Sequence, residues 1–434
     1  MDRIDILREV VEKEGAEIFY AREPKLRKAL HETALTFADM EDLIEICSTD
    51  RKLTKKILSD PDLANTRDLQ KELVNVLGNR SIASLKDVHT AIYHYERKSV
   101  EKAEGEFDDG RFVYQAVPAR KQCLALLKPL TQPGYELVIP DTVTVAGKEW
   151  KIISISDSCF ENNTSLTSVK LPAGLETLGK NAFCNCSSLT SVEIPRHLKT
   201  IGQNAFAYTR LSELVAGDYL ENIESMAFYR CRDLKRVVLP KRTGQIGVGA
   251  FSGCSSLESI EIDKNNGRFC FDNGVLYSRK QDKVYLIAGS FKGKFAPPRS
   301  VLSIEQYAAE DCLGLSEIDL PASVTSIGAC AFRGCTGLIR AKLPNTLTII
   351  GESAFENCTS LKSVSVPASI RSIGRKAFAK CAGMETCEIL GAVKYAGLDI
   401  FSGCTGLNRV TIVKISEHSS KDFPVNTRVK YVHG

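Results

Sequence analysis

The sequence lacks a long apolar segment. No run of about 18 apolar residues occurs in its 434 residues, so the sequence predicts no membrane-spanning helix. The first residues, Met1 to Glu9, are charged and amphipathic and contain no apolar core of a secretory signal. We therefore expect a cytoplasmic protein, or a cell-surface or secreted one if the native N-terminus has been trimmed.

A large excess of either charge is also absent. The formal net charge is +4, which is too small to indicate nucleic acid or an anionic membrane as a partner. Glycine is scarce in residues 1–105, which contain three of the 30 glycines. This shift in composition predicts two domains with a boundary near residue 105.

Catalytic and metal-binding motifs are absent as well. None of the six histidines forms an H-E-x-x-H motif, and no phosphate loop or serine nucleophile elbow occurs. The cysteine spacings do not form the two pairs that a zinc site needs. The sequence therefore predicts no enzyme, no cofactor and no metal site.

What the sequence has is a repeat. Phenylalanine recurs every 23 residues, with one step of 22, and Ala309 occupies the slot 23 residues before Phe332. A fixed period of this size indicates one supersecondary unit stacked many times. The phenylalanine positions are Phe160, Phe183, Phe206, Phe228, Phe251, Phe332, Phe355, Phe378 and Phe401.

Each copy follows the template L-x-x-V-x-I-P-x-x-L-x-x-I-G-x-x-A-F-x-x-C. In one copy, Val192 and Ile194 alternate with polar residues, which predicts a strand with one buried side. Pro195 ends that strand because proline cannot donate to a ladder. One copy buries too few side chains to fold alone, so the copies must stack into a continuous core.

The segment I-G-x-x-A-F-x-x-C-x-x-L resembles the BspA-like, or Treponema pallidum type, leucine-rich repeats. The resemblance implies an α/β leucine-rich-repeat solenoid of about ten coils with one strand each on a concave face. We predict N-terminal strands at 106–158, repeats at 159–413 with a hairpin insertion at about 263–298, and a C-terminal cap strand at 414–434. Such proteins are often surface-associated and mediate adhesion, so the resemblance implies non-catalytic macromolecular recognition.

The region 1–105 has apolar residues at helical spacing, such as Leu26 and Leu30, and predicts a small all-α bundle. Its role stays open between packing and docking. An alternative is an intracellular effector or enzyme in which this bundle carries the activity and the repeats select the target. His31, Glu32, His89 and His94 would then be the first residues to inspect.

Eight of the 15 cysteines occupy one slot, three residues after the phenylalanine or its substitute Ala309. Stacking turns them into a column of buried thiols that pack as small hydrophobes and donate weakly to nearby carbonyls. Unpaired cysteines in this number favour a reducing compartment. They are Cys186, Cys231, Cys254, Cys312, Cys335, Cys358, Cys381 and Cys404.

The outward side of the repeat strand is the remaining candidate for binding. Its side chains form a long column of mixed charge that could contact a protein or another macromolecule. The alternative is an ordinary solvated surface, and the oligomeric state stays open. The candidate residues are Glu193, Glu213, Arg236, Glu261, Glu317, Asp319, Arg340, Lys342, Glu388 and Arg409.

Overall fold

The structure is a computed structural model that describes Leu26, Leu30 and residues 106–117, 120–130, 133–145, 147–415 and 427–431. The chain divides into two compact units, Met1–Val113 and Tyr114–Gly434. The repeats all lie in the second unit, which is a β-solenoid of about 11 turns.

From residue 106 onward, the described residues form strands joined by turns. The first half contains β1 Glu106–Asp108, β2 Phe112–Ala116, β3 Cys123–Pro129, β4 Glu136–Val138, β5 Thr142–Val145, β6 Lys148–Ile155, β7 Ser168–Lys170, β8 Thr177–Leu178, β9 Ser191–Glu193, β10 Thr200–Ile201, β11 Glu213–Val215, β12 Asn222–Ile223, β13 Arg236–Leu239, β14 Gln245–Ile246 and β15 Ser259–Ile262. The second half contains β16 Phe269–Asp272, β17 Val275–Ser278, β18 Lys283–Ile287, β19 Gly293–Phe295, β20 Ser303–Ile304, β21 Leu315–Asp319, β22 Ser326–Ile327, β23 Arg340–Lys342, β24 Ile349–Ile350, β25 Ser363–Val366, β26 Ser372–Ile373, β27 Thr386–Val393, β28 Tyr395–Ala396, β29 Arg409–Ile415 and β30 Arg428–Tyr431.

Each regular turn has two strands. One joins the first of two separate columns of parallel strands, and the other joins the second. The first strand column consists of the sheets β4-β7-β9, β11-β13-β15 and β19-β21-β23-β25-β27-β29-β30. The second strand column contains β3-β6-β8-β10-β12-β14 and, after an interruption, β18-β20-β22-β24-β26-β28. Both columns are therefore continuous only within blocks of the solenoid.

The phenylalanine segments form a third side, which we call the turn column. The rings of Phe160 to Phe251 stack with centroids 5.1 to 5.5 Å apart, and those of Phe332 to Phe401 with centroids 5.2 to 5.8 Å apart. The backbone stacks with them: the N–H of Phe355, for example, donates to the carbonyl of Ala377 in the next turn at 2.7 Å. Successive turns are therefore joined both by stacked rings and by backbone hydrogen bonds.

The turn column is not helical, because left-handed residues with positive φ interrupt its right-handed backbone. In all ten slots, the residues two before and two after the phenylalanine position have positive φ, as Ser353 (52°) and Asn357 (63°) do around Phe355. An α-helix needs consecutive right-handed residues, so this alternation excludes one. It turns the N–H groups towards the next turn, where they find carbonyl partners.

The predicted α/β class is therefore wrong. From residue 106 onward the described residues contain no helix, and each regular turn has two strands rather than one. The signal was present in the sequence, since six of the ten residues that follow the phenylalanine slot by two are Asn or Gly, which tolerate positive φ. The predicted bundle at 1–105 is not supported: apart from Leu26 and Leu30, which are helical and buried, it lies outside the described residues.

The glycine that follows the isoleucine of the template has a packing role. A Cβ at Gly374 would lie 2.3 Å from the backbone nitrogen of Glu352 in the preceding turn. The corner therefore needs glycine because two successive turns approach closely, and not because of an unusual φ at that residue.

Residues between Phe251 and Ala309 add a turn of a different kind. Strands β16 and β17 form an antiparallel hairpin, and β18 then returns to the second strand column by pairing with β20. The N–H of Ile287 donates to the carbonyl of Ala308 at 2.6 Å, the bond that a phenylalanine makes in a regular turn. Ile287 and Ala288, both buried, therefore occupy the phenylalanine position here. The predicted domain boundaries, including the insertion at about 263–298, stay a prediction.

Candidate functional site

All ten predicted binding residues lie on the first strand column. Their strands alternate buried and outward side chains, so Val237 enters the core while its neighbours Arg236 and Val238 point away from it. The parallel register aligns equivalent residues of successive turns, as it does for Glu317 and Arg340. We call this surface the outward face of the first strand column.

Arg236 joins two predicted residues on that face. Its guanidinium forms two hydrogen bonds with Glu261, at 2.7 and 3.0 Å, and lies 3.5 Å from a carboxylate oxygen of Glu213. The hydrogen bond from Arg236 holds the pKa of Glu261 below its usual range. These three side chains therefore form one preorganised acidic cluster with a cation at its centre.

A second cluster surrounds Asp319. Lys294 lies 2.7 Å from Asp319 and 3.6 Å from Glu317, and Lys342 lies 3.2 Å from Asp319. Hydrogen bonds from Lys294 and Lys342 lower the pKa of Asp319. Lys294 was not predicted, because it lies on β19, in the turn that departs from the repeat template.

The other predicted residues make no ion pair within the part of the chain that the structure describes. Arg340 and Arg409 are exposed and share a row with Ser363 and Thr386. Glu388 is exposed in the neighbouring row, opposite Thr411. Glu193, on β9, is exposed and next to Lys170 in register. Their charges are available to a partner.

A groove of about 700 Å³ lies beside Glu261, where strands β13 and β15 end. The guanidinium of Arg242 stacks over the ring of Tyr219 at 4.7 Å, and Arg196 forms a salt bridge with Asp218 at 2.9 Å. This groove was not predicted from the sequence, because its lining residues come from segments far apart in the chain, from Arg196 to Asn265.

A buried polar cluster lies where the inserted turn interrupts the stack. The side chain of Glu310 is fully buried and accepts hydrogen bonds from Ser252, Arg333 and Tyr229. Arg230 lies 3.2 Å from Asp311 beside it. Burial raises the pKa of Tyr229 to about 12. The cluster thus links Ser252, before the inserted turn, to Glu310 and Arg333, after it.

The sequence of residues 153–275 and 295–424, more than half of the chain, matches the family model of the BspA-type leucine-rich repeat region in six copies. The chain belongs to the BspA-type leucine-rich repeat family. The resemblance inferred from the template is thereby confirmed.

Solved structures share the BspA-type fold of this chain. A leucine-rich cell surface protein of Faecalibacterium prausnitzii is 24% identical with a TM-score of 0.52, and the match covers 76% of this chain and 99% of that one. The pneumococcal vaccine antigen PcpA is 19% identical with a TM-score of 0.63, covering 76% and 94%. A leucine-rich repeat protein of Eubacterium ventriosum is 21% identical with a TM-score of 0.57, covering 74% and 91%. No protein of curated function matches the sequence.

The BspA-type repeats explain the cysteines. Seven thiols of the predicted column donate to the carbonyl of the preceding phenylalanine slot at 3.0 to 3.2 Å, and Cys312 lies 3.6 Å from the carbonyl of Ala288. Burial raises the pKa of Cys186 and Cys312 to about 12, so both stay protonated at neutral pH. The predicted thiol column is confirmed. Thr209 occupies the cysteine position of its turn, and its hydroxyl donates to the carbonyl oxygen of Phe206 at 2.8 Å.

The described part of this BspA-type chain contains neither a metal-binding cluster nor a membrane-spanning helix. Within it, no group of three His, Cys, Asp or Glu residues is placed to hold a metal ion. No helix among the same residues is long and apolar enough to cross a membrane. The proposed enzyme residues His31, Glu32, His89 and His94 lie outside the described residues. The prediction of a cytoplasmic protein gains no support from the comparisons.

Proposed function

We propose that this chain is a non-catalytic recognition protein that binds another protein through the outward face of the first strand column, as an adhesion-type repeat protein does. The observation that carries the proposal is that different groups of each turn do the stacking and face the solvent. The phenylalanine, cysteine and backbone groups of the turn are committed to the neighbouring turns. The outward side chains of the first strand column are not needed for that stacking.

Two features of the face support binding rather than simple solvation. Its residues repeat in register along consecutive turns, so a partner could contact many of them at once. The clusters around Arg236 and Asp319 hold long charged side chains in place before any partner arrives. Preorganised side chains lose less conformational entropy on binding than free ones.

We also infer that the protein works at the cell surface. One structural neighbour, 99% of whose length is covered by the match, is described as a cell surface protein, and another is described as a vaccine antigen. Most of the described free thiols do not argue for a reducing compartment, because burial in the stack protects them from oxidation; only Cys123 and Cys270 among them are partly exposed. Protease treatment of intact cells should remove the protein, whereas full protection until lysis would contradict this placement.

Charge reversal on the face tests the binding proposal. We expect the Glu193→Lys, Glu261→Lys, Lys342→Glu variant to lose partner capture while its urea midpoint changes little, since exposed ion pairs contribute only about 0–1 kcal/mol each. The matched control is Glu221→Lys, Glu352→Lys, Lys180→Glu, which reverses three exposed charges elsewhere on the solenoid. Equal capture by both variants would place the binding site off this face.

A further inference from the structure

The C-terminal end of the first strand column carries arginines that form no ion pair with the residues that the structure describes. After Glu317, which Lys294 contacts, one row of outward residues runs in register through Arg340, Ser363, Thr386, Arg409 and Arg428 on strands β23, β25, β27, β29 and β30. We call this row the cationic strip. Arg340, Arg409 and Arg428 are exposed and form no ion pair among the described residues.

Two of the three arginines of the strip lie unfavourably close to each other. Arg409 and Arg428 are direct register partners on adjacent strands. Like charges placed opposite each other across a strand pair destabilise a sheet. Arg236, Lys294 and Lys342, earlier in the same column, each lie against a carboxylate instead. The strip therefore lacks the compensation that Arg236, Lys294 and Lys342 have.

The residues between the arginines suit an anionic partner. Ser363 and Thr386 place hydroxyl groups between Arg340 and Arg409, and hydroxyls can donate to carboxylate oxygens. Four strand spacings of about 4.8 Å separate Arg340 from Arg428, or about 19 Å. An extended peptide covers that distance with about six residues.

We propose that the cationic strip binds an extended acidic segment of the partner protein, with its carboxylates on Arg340, Arg409 and Arg428. This inference rests on the proposed function, because it assigns a partner chemistry to the same face. A guanidinium pairs with a carboxylate through two parallel hydrogen bonds, which gives direction as well as strength. Binding also removes the repulsion between Arg409 and Arg428.

Glu388 favours a peptide over a uniform polyanion. This exposed carboxylate lies on β27, in the row next to the strip, with Thr411 as its register partner. A sulfated polysaccharide carries a negative charge at every step and would be repelled there. A peptide can place acidic residues on the arginines and a neutral or basic residue opposite Glu388.

The competing role for these arginines is protection of a sheet edge. Strand β30 is the last strand of its sheet in the described part of the chain, and charged residues on an edge strand prevent aggregation. Edge protection predicts that loss of the arginines causes self-association without any effect on an acidic ligand. The two roles therefore give different results in one experiment.

The test measures fluorescence anisotropy of the full chain with a labelled peptide of about eight residues that alternates Glu and Ser. The same peptide with Gln in place of Glu is the ligand control, and dextran sulfate is the uniform polyanion. We expect the Glu peptide to bind, and Arg409→Gln with Arg428→Gln to weaken binding by about tenfold or more. The control pair Arg299→Gln and Arg371→Gln removes two exposed arginines elsewhere and should change affinity by less than about twofold.

Three results would overturn the proposal. The first is no preference of the wild-type chain for the Glu peptide over the Gln peptide, and the second is equal weakening by both arginine pairs. The third is that dextran sulfate binds more tightly than the peptide and that Glu388→Gln does not increase the affinity for dextran sulfate. Any of these, combined with loss of capture by the Glu193, Glu261 and Lys342 variant, would reject the acidic ligand and leave the proposed function standing.

Discussion

The turns from Phe332 to Phe401 and the junction around Ala309 solve the same packing problem in different ways. In the regular turns, each ring lies on the next with planes within 17° of parallel, and each cysteine donates to the turn before it. At the junction both strand columns are interrupted, and Ile287 and Ala288 stand in for the missing phenylalanine. The buried Glu310 cluster spans this break, from Ser252 to Arg333.

The two regions differ in the kind of side chain that determines their structure. A regular turn is determined by buried apolar residues, such as Phe355 and Leu361, that recur at the same positions in each turn. The junction depends on side chains that occur once, and its buried carboxylate tolerates no loss of a partner. Stability in the first region should therefore depend on volume, and in the second on hydrogen bonding and charge.

The largest effect is expected in the regular stack. Phe355→Ala should lower the free energy of unfolding by about 3–5 kcal/mol, because it leaves a cavity between two stacked rings. Urea unfolding followed by circular dichroism measures this change. Tyr395→Ala removes a ring that is 62% exposed and serves as the control. Equal stability of the two variants would contradict the stacked core.

A smaller loss is expected at the junction. Glu310→Gln should cost about 2–3 kcal/mol, since the amide cannot replace the charged hydrogen bonds that Arg333 and Ser252 make. Glu352→Gln, an exposed carboxylate with no ion pair among the described residues, is the matched control. If Glu310→Gln unfolds at the same urea concentration as that control, the cluster does not join the two blocks.

Restoring the repeat residue at the junction should also be unfavourable. Ala309→Phe should lower stability by about 1–2 kcal/mol, because Ile287 and Ala288 already fill the space below that position. Thermal unfolding measures the change. A rise in the melting temperature would mean that Ala309 marks an unfilled gap in an otherwise regular stack.

The smallest effect concerns the thiols at neutral pH. Iodoacetamide at pH 8 should spare Cys186 and Cys312 in the folded chain and label the half-exposed Cys123. A raised thiol pKa gives stabilisation that is complete below the unfolded pKa of about 8.5 and is lost as the pH rises towards 12. Mass spectrometry that finds Cys186 labelled as readily as Cys123 would contradict this burial.

The period of the phenylalanine was enough to predict the stack and the cysteine column, because both follow from residues that recur at fixed spacing. It did not predict the second strand of each turn, since Thr200 and Ile201 alone are too short a signal. The α/β class implied by the resemblance was wrong, although Asn or Gly at six of the ten positions two residues after the phenylalanine slot indicate left-handed backbone, which excludes a helix there. The Glu310 cluster unites residues up to 104 positions apart, a distance at which no local pattern exists.

The central claim is that the stacked turns are the scaffold and the outward face of the first strand column does the binding. Carboxyl footprinting of the full chain, free and in its captured complex, tests it most directly. The complex should show reduced labelling of Glu193, Glu261 and Glu388 on that face and unchanged labelling of Glu221 and Glu352 on the other sides. Protection of Glu221 or Glu352, with the three face residues labelled as in the free chain, would contradict it.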